Sequence, residues 1–185
     1  KKEHTIEGNI KAMEKLNAEM YNLGQQAQTI QKIGDEFESL SAKINKSAED
    51  LQRLEELITE FNDSIGFEAI ASGTSAQEAE KIMRAYEALA EAELQAKIQE
   101  SQRVLNKAVK NGTDLENYMN AEGGSAVIRQ LLSQTYSSFA GATDLTQSII
   151  MDAIAENGST FIKNGQFSAD AVDDIFTTDV IDTLD

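Results

Sequence analysis

The chain has 185 residues, 41% of them hydrophobic, and carries 32 acidic against 16 basic side chains, a formal net charge of −16 at pH 7. It has no cysteine, proline or tryptophan, which excludes disulfides and thiol chemistry and favours long uninterrupted helices. The acidic balance disfavours nucleic acid and anionic membrane surfaces, whose phosphates need a Lys/Arg stripe, and the sequence is expected to hold none. No apolar run is long enough for a transmembrane span.

In chain order, the first stretch dominates. From Ile6 through Ile10, Met13, Leu16, Met20, Leu23, Ala27, Ile30, Ile33, Phe37, Leu40, Ile44, Ala48, Leu51, Leu54, Ile58 and Phe61 to Ile65, apolar residues recur in steps of three and four. That spacing predicts one helix over residues 1–66, with a single apolar seam. At 1.5 Å per residue, roughly sixty residues make a rod of about 90 Å. Its seam must be covered by the later chain, another copy or a partner. Gly24 and Gly34 beside the seam imply either close approach of a neighbouring helix or tolerated flexibility.

Gly66 is placed to end this helix in the left-handed conformation. Ser75 and Glu78 form a capping-box pattern that opens a second helix, expected over 75–111 and stopped by Asn111-Gly112. Thr113 and Glu116 repeat the pattern for a short helix to about Glu122. After Gly123-Gly124, Ser125 is expected to cap a third long helix, 125–157, with the widest apolar face in the chain. Asn164-Gly165 between short apolar flanks signals a type I′ hairpin or an irregular loop. Beyond it, Ser168 is read as capping a short helix with Val172, Ile175 and Phe176 inward, before an acidic end.

The fold expected is therefore all-α: an elongated antiparallel three-helix bundle over 1–158 with a small acidic appendage over 159–185. Two helices of about 50 Å cannot cover a rod of about 90 Å. The expectation follows that residues 1–25 project, leaving Ile6, Ile10, Met13, Leu16 and Met20 as an interface for another molecule.

Chemistry is sparse. His4 is the only histidine and lies near the amino terminus. Without a second histidine or any cysteine, nucleophile–base pairs and transition-metal sites cannot be assembled. Asp170, Asp173, Asp174, Asp179 and Asp182 could offer oxygen to a divalent cation, but their spacing matches no EF-hand loop and reads as a solvated face. Glu55-Glu56 and the Glu36/Glu38 pair lack the Glu-x-x-His that a di-metal bundle needs. Gly123-Gly124-Ser125 could hold an anion on backbone amides, although helix punctuation explains it as well. Tyr136, Phe139, Ile149, Ile150 and Ile154 read as core, or alternatively as a membrane-active face. No nucleotide-binding fingerprint is present, and neither cofactor nor metal is expected.

Residues Ile10 to Phe61, with Gly24-Gln25-Gln26-Ala27-Gln28, resemble the long Gln- and Leu-rich first helix of the minor pilus subunits of type IV secretion systems. Arg129-Gln-Leu-Leu-Ser-Gln134 and Thr146-Gln147 extend the likeness to the last long helix, whereas the end from Ser159 departs from the pattern. The resemblance implies a helical bundle with a small appended part, placed in a secreted, periplasmic or extracellular assembly rather than in the cytoplasm. The expected function is a non-enzymatic structural or interaction subunit of a larger bacterial or phage assembly, self-associating or bound to protein partners. The alternative is a membrane-acting helical bundle, such as a toxin component.

Overall fold

The computed structural model describes residues 5–168 and Val172. The fold is all-α. Among the described residues there are seven α-helices: α1 (Ile6–Ser41), α2 (Ala48–Ile65), α3 (Ala76–Ala108), α4 (Gly112–Asn120), α5 (Gly124–Thr135), α6 (Ser137–Ala140) and α7 (Asp144–Glu156). A 3-10 turn (Gly158–Phe161) and a two-stranded hairpin, β1 (Ile162–Lys163) and β2 (Gln166–Phe167), follow. The chain divides into two compact units. Unit 1 draws on Lys1–Met20 and Lys97–Asp185, and unit 2 on Tyr21–Ala96. This division differs from the expected boundary at residue 158.

Unit 2 corrects the expectation of one helix over 1–66. The chain leaves α1 at Ser41 and starts α2 at Ala48. Ser47 is extended (φ −73°, ψ 166°), and its hydroxyl accepts from the Asp50 amide at 3.1 Å. The Asp50 carboxylate in turn accepts from the Ser47 amide at 3.1 Å. This reciprocal cap satisfies two amide donors at the start of α2. The turn folds α2 back on α1, so that Ile30, Ile33 and Phe37 meet Leu54, Leu57 and Phe61 in one core with Ala79 and Met83 of α3. Gly66 ends α2 at φ 88°, as the sequence predicts, with its amide donating to the Asn62 carbonyl. The Asn62 side chain then clamps Ile70 by two 3.0 Å hydrogen bonds, one to its amide and one to its carbonyl. Those bonds seat Ile70 in the core, 1% exposed. Phe61 and Phe67 both meet Tyr86 edge-on.

Unit 1 corrects the third helix. The stretch expected over 125–157 breaks at Tyr136 and again between Gly141 and Thr143, giving α5, α6 and α7. Local hydrogen bonds explain the breaks. The Thr135 hydroxyl donates to the Leu131 carbonyl at 2.8 Å, and the Thr143 hydroxyl accepts from the Thr146 amide at 3.2 Å as the N-cap of α7. Gln147 ties the bend, donating to the Phe139 carbonyl at 2.8 Å and accepting from Arg129 at 3.0 Å. Two caps also shift. Asn111, not Thr113, caps α4 by accepting from the Asp114 amide at 2.8 Å. Gly123, with φ 83°, precedes α5 in place of a Ser125 cap.

The hairpin forms as read. Asn164 and Gly165 take positive φ (55° and 73°), and Ile162 pairs with Phe167 and Lys163 with Gln166. The Phe167 amide donates to the Asn106 side chain of α3 at 3.0 Å, fixing the hairpin beside that helix.

Candidate interaction site

The five residues expected to form an exposed interface are not exposed. Ile10, Met13, Leu16 and Met20 are 3%, 0%, 6% and 0% exposed, and Ile6 is half-buried. The physical reason is a polar lock that periodicity does not report. The Asn9 side chain donates to the Val104 carbonyl of α3 at 2.7 Å and accepts from the Tyr118 hydroxyl of α4 at 2.9 Å. Asn17 donates to the Val127 carbonyl of α5 at 3.0 Å. Both asparagines are wholly buried. Burial, with the nearby Glu14 carboxylate adding to it, pushes the Tyr118 phenol up, so it stays a neutral donor. The only sequence signal for this lock is the position of Asn9 and Asn17 next to seam residues Ile10 and Leu16.

The other singled-out residues take structural places. The rim of Gly123-Gly124-Ser125 is packed: a Cβ on Gly124 would lie 1.7 Å from the Tyr118 carbonyl oxygen. Phe139, Ile150 and Ile154 are core, and Tyr136 and Ile149 are half-buried. Glu36, Glu56 and Glu60 all reach the guanidinium of Arg53, at 2.5, 3.4 and 2.9 Å. Glu38 joins Asp35 and Glu87 on Arg84. The hydrogen bond from Arg53 holds the Glu36 carboxyl below its usual range, and Lys97 does the same for Glu19. Among the described residues no group of three or more His, Asp or Glu side chains is placed to hold a metal, and no helix is long and apolar enough to cross a membrane. His4 and the aspartates at 170, 173, 174, 179 and 182 lie outside the described residues.

Two surfaces stand apart from the core. The first is the α1–α2 turn in unit 2. Ile44 is 97% exposed at its apex. The turn is braced on both sides. Lys43 pairs with Asp50 at 3.1 Å, and the Lys46 ammonium donates to the Lys43 carbonyl at 2.8 Å. The hydrogen bonds of the Ser47 cap lower the Asp50 carboxyl first, and Lys43 adds to them, so the brace is charged at neutral pH. The second surface is a polar groove of about 480 Å³ in unit 1, lined by Arg103 and Lys107 of α3, by Lys110 beyond the end of that helix and by Gln166 of β2. The net charge of −16 conceals these three cations in the sequence.

Architecture and surfaces define an all-helical protein with a braced apolar tip and a cationic groove. Comparison with family models, with curated proteins and with solved structures finds no match to this chain.

Proposed function

We propose that this chain is a non-enzymatic structural and interaction subunit of a larger bacterial or phage assembly, of the secretion- or conjugation-pilus kind. The observation that carries the reading is Ile44, an isoleucine held almost fully in solvent on a turn stiffened by an ion pair and a reciprocal cap. Leaving such a side chain exposed forgoes about 1.5–3 kcal/mol of burial that a partner surface can recover. A rigid turn loses little entropy on docking, which favours a contact role over a flexible linker role. The finer architecture expected from the sequence, an antiparallel three-helix bundle carrying an appendage, is part of this proposal. The core of unit 2, drawn from three helices, supports it.

Sedimentation velocity across a concentration series tests the reading. The wild-type chain is expected to self-associate, and Ile44→Asp to remain monomeric with an unchanged circular dichroism spectrum. A wild-type chain that stays monomeric at its highest soluble concentration counts heavily against it. Association that Ile44→Asp leaves intact places the contact elsewhere.

A further inference from the structure

Unit 2 carries an apolar hole as well as an exposed apolar side chain. An open cavity of about 160 Å³ lies where the end of α2 meets α1 and α3, lined by Ile30, Ile65, Phe67, Tyr86, Leu89 and Ala90. Ile30 and Ala90 belong to the core, 1% and 5% exposed. Phe67 and Leu89 are 55% and 52% exposed, so the cavity runs from the core out to the surface. Its walls are pre-formed. Gly66 turns the chain between Ile65 and Phe67 at φ 88°, and Tyr86 meets Phe61 and Phe67 edge-on, with ring centres 5.7 and 5.9 Å apart. A cavity held in this way loses little freedom when it is filled.

The hole matches the α1–α2 turn in size and in charge. An apolar cavity of about 150 Å³ holds a molecule the size of benzene, so this one has room for an isoleucine side chain. Between Glu38 and Glu49 the only charged residues are Lys43 and Lys46, on either side of Ile44. Asp50 takes Lys43 at 3.1 Å, whereas the Lys46 ammonium donates to a neutral carbonyl, which leaves its charge for a partner. The hole is acidic. From Tyr86 to Ala96, α3 carries Glu87, Glu91 and Glu93 and no cation. Arg84 takes Glu87 at 2.9 Å, and Glu93 lines the cavity. The next cation along α3, Lys97, is held by Glu19 and Glu100 at 2.8 and 3.5 Å.

We propose that this hole receives Ile44 of a second copy of the chain, so that copies join head to tail. The inference rests on the reading of Ile44 as a contact residue and names the surface it meets. Ile44 cannot fill the hole of its own chain. It stands before α2 begins and Ile65 is the last residue of that helix, so 18 residues, about 27 Å of helix, lie between them. A knob and a hole on different surfaces make a heterologous contact, which adds copies into a ring or an open fibre. A symmetric contact of Ile44 with Ile44 would leave Phe67 and Leu89 in solvent. It would also set the lysines of one turn against those of the other.

Mixing two full-length variants in sedimentation velocity tests this. Ile44→Asp removes the knob and keeps the hole; Leu89→Lys spoils the hole and keeps the knob. The wild-type chain is expected to form species larger than a dimer. Each variant alone is expected to associate at least about tenfold more weakly. Their equimolar mixture is expected to form a heterodimer and to stop there, because Ile44 of the Leu89→Lys chain enters the intact hole of the Ile44→Asp chain. Circular dichroism checks the fold. Should Leu89→Lys melt early, Phe67→Ser, outside the helices, takes its place with the same expected outcome. Association that Ile44→Asp abolishes but neither hole variant weakens overturns this inference and leaves the contact role of Ile44 standing. A mixture that stays monomeric also overturns it, since only a knob and a hole on separate surfaces complement each other. A wild-type chain that stays monomeric overturns both, and gives the hole to another molecule.

Discussion

Glycines 24 and 124 look alike in the sequence, each beside an apolar helical face, yet they meet different surroundings. A Cβ at Gly24 would have nothing within 4 Å, whereas at Gly124 it would fall 1.7 Å from the Tyr118 carbonyl oxygen. Of the two explanations the sequence leaves open for Gly24, tolerated flexibility is therefore the one the structure supports. Gly24→Ala is expected to stabilise by about 0.5–1 kcal/mol, since alanine gives up less backbone freedom in a helix. Gly124→Ala forces α4 and α5 apart and is expected to cost about 2–3 kcal/mol. Thermal melts of the two variants, moving in opposite directions, check both. A similar reason separates Asn9 and Asn17 from ordinary polar positions. Their burial depends on carbonyls more than ninety residues away in the chain, at Val104 and Val127. Nothing local in the sequence marks that pairing.

Elements were legible where the signal is local and strong. Gly66, the Ser75 cap, and Asn164-Gly165 each specify their backbone by chemistry within a few residues, and each appears where expected. The α1–α2 break was hidden because Leu40, Ile44, Ala48 and Leu51 keep the helical step straight through it. Its marker is a capping box closed by aspartate, Ser47 to Asp50, where the boxes at Ser75 and Thr113 carry glutamate. Across this turn Arg53 of α2 grips Glu36 of α1, and its carboxyl lies below the ordinary 4.5. A carboxyl lowered in the folded state contributes stability above its unfolded value and loses it as pH falls through the folded one. Glu36→Gln is therefore expected to lower the Tm by about 1–3 °C at neutral pH, because the pair is exposed and screened. The gap should close as the solution is acidified below about pH 4. A gap of constant size across the acid range, in paired calorimetric scans, would assign the loss to packing instead of charge.

At the scale of the whole molecule, helix length decides where the first seam lies. A single helix over residues 1–66 leaves too little chain to cover it, so its first third must project. Halving the rod at the turn removes that shortage. Ile10, Met13, Leu16 and Met20 then belong to the core of unit 1, alongside residues such as Leu105, Leu131 and Ile154. Burying four such side chains contributes roughly 6–12 kcal/mol, as much as the entire net stability of an ordinary domain. Deleting residues 1–20 is therefore expected to unfold unit 1 instead of merely removing a contact surface. Unit 2 lies within Tyr21–Ala96, and its core of Ile30, Phe37, Leu57, Phe61 and Met83 loses no member. Hydrogen exchange should then show residues 97–168 unprotected in the truncated chain, with protection kept in α2. Circular dichroism should show a matching partial loss of helix. A truncated chain that still melts cooperatively with full helical signal would mean that the asparagine lock and the four apolar residues are dispensable. The interface role expected from the sequence would then stand again.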